Sequence, residues 1–166
     1  MITSASKDDG IKILREQYGV QDVINHGKED VVERVLALTD GQGADVVYDA
    51  TYLESSMAKS IQTVKQGGSW IVLGAFARQG SQEAKGVAER KATLVHADLG
   101  RYSLGPERTQ MKAFFHDALT EAAKWVEEGK LKPYINQTIK LDEAQEALKK
   151  MEQGKSGFGK VVVQLH

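Results

Sequence analysis

The chain has 166 residues, 22 basic and 23 acidic side chains, a net charge of −1, and 41% hydrophobic against 27% charged residues; that balance builds one ordinary packed domain and excludes wholesale disorder. Cysteine is absent, which removes disulfides, thiolate zinc sites and cysteine nucleophiles together, and the even charge offers no footprint for nucleic acid or an acidic membrane surface. No apolar run reaches the roughly 18 residues of a spanning helix and no charged-then-apolar leader is seen, so a soluble, cytoplasmic protein is expected.

Ile2–Ala5 reads as a short strand. Asp8–Tyr18 follows with Ile11, Leu14 and Tyr18 at helical spacing and Gly19 where a helix C-cap belongs. Asp22–Asn25 is a strand, and Glu29–Thr39 a helix with Val31, Val32, Val35, Leu36 and Leu38 inward, broken by Gly41 and Gly43. Asp45–Asp49 reads as a buried strand; Met57, Ala58, Ile61 and Val64 mark a helix ended by Gly67-Gly68. Ser69–Gly74 is apolar on both faces, as in parallel strands covered by helices. The polar, glycine-bearing stretch Phe76–Ala88 reads as loop and Ala92–Ala97 as a strand. Gly105-Pro106 opens the longest helix, whose stripe of Met111, Phe114, Phe115, Ala118, Leu119, Ala122, Trp125 and Val126 is expected to face the core. Tyr134–Leu141 is extended, Asp142–Gln145 has the form of a capping box before a short helix, Gly154–Lys160 is a glycine-rich turn, and Val161–Val163 is a final strand. Strands alternating with helices imply right-handed βαβ units and a parallel sheet, whose ligands bind outside the carboxyl ends of the strands.

Several motifs are set aside on physical grounds. Gly154–Lys160 fits the start of a phosphate loop, but Val161 replaces the hydroxyl residue and the loop leads into a strand, not a helix N-terminus. Gly41-Gln-Gly43 precedes a strand, whereas a dinucleotide fingerprint follows one. The 4 histidines lack metal-ligand spacing, and no nucleophile elbow surrounds Ser4, Ser6 or Ser55. His26 stands at the carboxyl end of a strand, a position that bears watching. Asp45 and Asp49 share one strand face and read as polar strand ends rather than an acid–base pair.

The order of these segments resembles the medium-chain dehydrogenase/reductase superfamily, nearest its NADPH:quinone oxidoreductase (zeta-crystallin-like) branch. The resemblance is carried by Thr3–Lys12, Gly19–His26, Leu38–Asp49, Gly67–Gly74, Gly129–Pro133, Leu141–Ala147 and Gly159–Val163, in the family's order over essentially the whole chain. It implies an α/β, Rossmann-like doubly wound parallel sheet, with residues 1–133 forming part of a nucleotide-binding domain. Residues 134–166 correspond to a segment that returns to a GroES-like catalytic domain. By this resemblance Ile2–Ala5 is the second strand of the family's sheet; the first strand and its glycine fingerprint do not occur in this sequence, which reads as the C-terminal half of such an enzyme. In the order 3-2-1-4-5-6 the first strand is central, so its loss leaves strands two and four each with an unpaired edge.

The same resemblance implies a cofactor site, residue by residue. Ser6-Lys7 stands where an acidic residue would take a ribose 2′-hydroxyl, which suits a 2′-phosphate and hence NADPH, although Asp8 and Asp9 follow directly. Gly10 occupies a place where some members carry a phosphate-binding Lys. His26 matches a Tyr or His beside the adenosine phosphate, and Thr51 and Ser55 lie toward the adenine–ribose side. Leu73, Gly74, Ala75 and Phe76 match the loop beside the nicotinamide ribose, Ala97, Asp98 and Leu99 the segment facing the carboxamide, and Lys155 a basic contact in the tail turn. No metal ligands and no catalytic residues are assigned. The implied activity is zinc-independent hydride transfer from NADPH to a small-molecule quinone or activated alkene, in a homodimer joined at the Ala92–Ala97 edge, with no nucleic-acid or membrane partner. Two other readings stay open: a non-catalytic, truncated module for nucleotide binding or assembly, and a remnant with no ligand.

Overall fold

The structure is a computed structural model that describes residues 1–51, 53–73, 81–97 and 108–165, with side chains from residue 112 onward in the last stretch. It divides into two compact units: Met1, Thr3–Gly27 and Ala113–His166 in one, Ile2 and Lys28–Lys112 in the other.

The first unit takes both ends of the sequence. Strand β1 (Ile2–Ala5), helix α1 (Asp8–Glu16) and strand β2 (Asp22–Asn25) follow the expected order, and β1 pairs with β2. Ala5, Ile11, Val20 and Val23 pack together with Leu14 beside them. The chain leaves α1 through Gly19 at φ +67°, and Val20 N–H closes back on the Leu14 carbonyl at 3.0 Å; glycine adopts that left-handed turn without the steric cost of a Cβ. Helix α5 (Arg108–Glu127) is as long as its periodicity predicts, but its apolar stripe is not core. Phe114 is 58% exposed and Leu119 68%, with Trp125 and Val126 also open; amphipathic spacing builds the helix, and burial would require a facing layer that the described residues do not place there. Strand β6 (Ile135–Lys140) pairs in parallel with β7 (Lys160–Gln164) through helix α6 (Ala144–Glu152). The residue reaching back at the head of that connection is Glu143, whose Oε2 accepts the Lys140 N–H at 2.8 Å, two residues earlier than the Asp142–Gln145 spacing predicts.

The second unit holds helix α2 (Val31–Leu38), strand β3 (Ala44–Asp49), helix α3 (Glu54–Ser60), a 3-10 turn at Ile61–Thr63, strand β4 (Val64–Val72), helix α4 (Gln82–Arg90) and strand β5 (Thr93–His96). The strands form a parallel sheet in the order β3-β4-β5. Asp30 caps α2, accepting the Val32 and Glu33 N–H groups at 2.8 and 3.1 Å. Helix α3 is shorter than predicted: Val64 is the first residue of β4, and Gly67 and Gly68 lie inside that strand. The pairing slips there, from Ala44 opposite Val64 to Val46 opposite Ser69. Gly68 is required at the slip because a Cβ would stand 2.9 Å from the Asp45 carbonyl oxygen.

The stretch read as loop contains α4, opened by Ser81, whose hydroxyl accepts the Ala84 N–H at 3.2 Å. Gly86 hides this helix from propensity, and its purpose is proximity: a Cβ there would approach Ile61 Cγ1 to 2.9 Å. One face of the sheet is sealed by Met57, Ile61, Val64, Trp70 and Val72, with Val87 and Leu94 at the margin. The other face is open: Val46 is 50% exposed and Tyr48 71%, and Val95 is exposed beside them. Thus β3 is a two-faced strand in the sequence but only half-covered here.

Candidate functional site

The predicted site residues fall into two groups, one in each unit. In the first unit, the carboxyl ends of β1 and β2 come together, with the His26 N–H donating to the Ala5 carbonyl at 3.1 Å. Ser6, Lys7 and His26 are all exposed there. The tail turn reaches the same place: Lys7 Nζ donates to the Gly154 carbonyl at 2.6 Å, next to Lys155, whose own Nζ donates to Gln153 Oε1 at 2.9 Å. So Ser6, Lys7, His26 and Lys155 are gathered, although Lys7 and Gly154 are 147 positions apart. Gly10 is occupied in a different sense. A Cβ on it would stand 2.8 Å from Phe158 Cδ2, so the ring of the tail turn fills the place where a longer side chain would grow.

In the second unit, the carboxyl ends of the parallel strands are aligned. The Leu73 N–H donates to the Asp49 carbonyl and the Ala97 N–H to the Val72 carbonyl, both at 2.9 Å. Thr51, Ser55, Leu73 and Ala97 therefore stand along one end of the sheet, where open α/β sheets bind ligands. Gly74, Ala75, Phe76, Asp98 and Leu99 lie outside the described residues.

Sequence reasoning missed the most highly connected polar group at this end. Asp49 is 3% exposed. Its Oδ1 accepts the Thr51 hydroxyl at 2.6 Å and the Thr51 N–H at 3.0 Å; its Oδ2 accepts Ser60 Oγ at 2.7 Å and Ser56 Oγ at 3.2 Å. Ser60 Oγ in turn accepts the indole N–H of Trp70 at 3.0 Å. Burial pushes the Asp49 carboxyl up, but the hydrogen bonds from Thr51, Ser60 and Ser56 outweigh it and hold the group below the usual aspartate range. Asp45, its expected companion, instead points to solvent and pairs with Lys65 at 3.1 Å. The reading of Asp49 as a polar strand end is right in place and too modest in role. A signal existed: Ser56 and Ser60 are four apart on one helix, so both can face a strand end beneath them. Ser55, the residue singled out instead, is exposed.

Comparison with known proteins fixes the family. The sequence profile of the zinc-binding dehydrogenases matches residues 18–163, and the chain belongs to that family, within the medium-chain dehydrogenase/reductase superfamily. An L-threonine 3-dehydrogenase of Pyrococcus furiosus is 29% identical over 92% of this chain and 40% of its own length. A quinone oxidoreductase of Pseudomonas aeruginosa is 29% identical over 89% of this chain and 43% of its own. The crystal structure of an NAD-dependent alcohol dehydrogenase superposes with a TM-score of 0.74 at 26% identity, over 99% of this chain and 43% of that one. The chain thus spans about two fifths of the length of the curated relatives it matches.

The described residues do not form a zinc site. The sequence supplies no thiolate, and among the described residues no three His, Asp or Glu side chains come together as a ligand set. At strand ends, where ligands of α/β sheets bind, the first unit offers Ser6 and Lys7 after β1, and the second unit separately offers its aligned strand ends. Among the described residues no helix is long and apolar enough to cross a membrane.

Proposed function

We propose that the chain is the nucleotide-binding portion of a cytoplasmic, zinc-independent oxidoreductase that transfers hydride between NADPH and a small quinone or activated alkene, with residues 1–133 as the nucleotide-binding part and 134–166 as the segment that completes a catalytic domain. The observation that carries this reading is Lys7 at the carboxyl end of β1. A cation there favours a 2′-phosphate, whereas an acidic residue would favour a bare ribose hydroxyl. Lys155 adds a second positive charge in the turn that Lys7 touches. When bound, the cofactor supplies the hydride. The chain's part is to bind and orient: Ser6, Lys7, His26 and Lys155 toward the adenosine phosphate, Thr51 and Ser55 toward the adenine and ribose, and Leu73 to Phe76 with Ala97 to Leu99 toward the nicotinamide. The quinone oxidoreductase among the relatives supports the substrate class. The NAD-dependent alcohol dehydrogenase structure is the counterweight, since it points to the other cofactor.

Fluorescence titration of the chain with NADPH and NADH tests this reading. NADPH is expected to bind more tightly by about 1.5–3 kcal/mol, the value of a charge-assisted contact, and Lys7→Ala is expected to erase the difference. Equal affinities in the unmodified chain would refute it. The chain alone is expected not to reduce quinones, since it contains no glycine fingerprint to seat the pyrophosphate, and positioning of that kind is worth roughly 7–11 kcal/mol of barrier. Steady NADPH-dependent quinone reduction by the purified chain would contradict that expectation.

A second reading, a non-catalytic module, has one observation in its favour. The Lys7 ammonium rests on the carbonyl of Gly154, just past the C-terminus of α6, where a cation completes a helix end. If Lys7→Ala lowers stability while leaving nucleotide affinities untouched, Lys7 is a helix cap and this second reading gains.

A further inference from the structure

We propose that Asp49 fixes the hydrogen-bonding sense of Thr51, so that Thr51, at the carboxyl end of β3, offers a bound nucleotide an acceptor and never a donor. The proposal rests on the nucleotide reading above and specifies what that part of the site recognises. The argument is one of proton counting. An ionised carboxylate only accepts, and a hydroxyl has a single proton to give. With Thr51 Oγ1 at 2.6 Å from Asp49 Oδ1, that proton is committed inward. The Thr51 N–H is spent on the same oxygen at 3.0 Å. What the hydroxyl of this exposed residue has left is lone pairs. One of them meets the Leu53 N–H only at 3.5 Å, a marginal contact that leaves acceptor capacity for an incoming group.

The carboxylate cannot swing away to release Thr51, because its other oxygen is held by Ser60 and Ser56. Ser60 is held in its turn by the indole of Trp70, a donor with no acceptor capacity, and Trp70 is wholly buried. The direction of every bond from Trp70 through Ser60 and Asp49 to Thr51 is therefore dictated by chemistry rather than by rotamer choice. Asp49 is a positioning residue: it reaches the ligand only through Thr51. The ligand group it selects is a hydrogen-bond donor, which on an adenosine is either the exocyclic amine or a ribose hydroxyl.

The test uses the intact chain and two readouts. Without nucleotide, the carboxyl carbon of Asp49 is followed by NMR through an acid titration. It is expected to titrate below the usual aspartate range in the unmodified chain and in Thr51→Ser, and to move upward in Thr51→Val. An unchanged titration in Thr51→Val overturns the proposal. With nucleotide, amide shifts report the affinities of ADP, of inosine diphosphate, whose amine is replaced by a carbonyl, and of 2′- and 3′-deoxy-ADP. One of these replacements is expected to bind about fivefold more weakly than ADP, the scale of one hydrogen bond, in the unmodified chain and in Thr51→Ser; the weakened probe identifies the donor. Thr51→Val is expected to bind all four alike. Equal affinities in the unmodified chain, or discrimination that survives in Thr51→Val, overturn the proposal while leaving the nucleotide reading standing. Failure of all four to bind overturns the nucleotide reading, and the proposal with it.

Discussion

Replacing Asp49 by asparagine tests whether the polar cluster at the end of β3 holds the second unit together. The carboxylate accepts two bonds at each oxygen. If the asparagine carbonyl stays on Thr51, its amide faces the hydroxyls of Ser56 and Ser60. Ser60 can adapt: it can accept from both the amide and Trp70 while turning its proton to the Met57 carbonyl, already 3.2 Å away. The remaining loss is the downgrading of charge-assisted bonds to neutral ones, about 2 kcal/mol in all. Alanine supplies no acceptor at all. Ser60 can still turn to Met57, but the Thr51 N–H and the hydroxyls of Thr51 and Ser56 are stranded, which is expected to cost about 4 kcal/mol, a large part of a domain's net stability of roughly 5–15 kcal/mol. Urea unfolding followed by tryptophan fluorescence suits the measurement, because Trp70 is 0% exposed and bonded to the cluster. A cost below about 0.5 kcal/mol for asparagine, or alanine no worse than asparagine, would refute the reasoning.

The same carboxylate gives the unit a pH dependence. Its folded value is depressed, so its stabilisation is fully present above the ordinary unfolded value of about 3.9 and is lost as pH falls through the lower folded value; unfolding midpoints in Asp49→Asn are expected to be flatter than wild type across that acid window. Gly86→Ala is expected to destabilise the chain by about 1 kcal/mol despite alanine's better helix propensity, since the new methyl meets Ile61, and a stabilised variant in thermal unfolding would contradict the close packing described. The open edge of β5, at Thr93–His96, and the bare face carrying Val46 and Tyr48 lead us to expect a self-associating chain rather than a simple monomer; a monodisperse monomer by light scattering, with a sharp unfolding transition, would show otherwise.

What the sequence revealed and what it concealed have separate physical causes. Alternating strands and helices were legible because glycines punctuate them, as Gly19 does after α1, and because several strands carry clustered β-branched residues, as Val46-Val47 does in β3 and Val161–Val163 in β7. Helix α4 was concealed because Gly86 serves a neighbour, Ile61, and a neighbour leaves no mark on local propensity. The stripe of α5 shows the reverse: periodicity specifies a helix and an apolar face, but says nothing about whether a layer lies opposite. At the site, positions after strands were legible from topology alone. The saturation of Asp49 was not, since it depends on a turn at Thr51 and a helix face bearing Ser56 and Ser60 converging on one carboxylate.

The bonds that close the first unit join distant parts of the chain. Lys7 Nζ reaches Gly154 across 147 positions, and the Tyr18 hydroxyl donates to the Lys132 carbonyl across 114. The second unit, apart from Ile2, is one uninterrupted stretch, Lys28–Lys112. A ribosome therefore releases a segment that can fold as it emerges, while β1, α1 and β2, made earlier, wait for partners that arrive last. Loop closure makes that wait costly in rate more than in final stability, because closure entropy grows only slowly with length. Within this stretch of chain, the segment made first is the one finished last, when Lys132 and Gly154 arrive to accept from Tyr18 and Lys7.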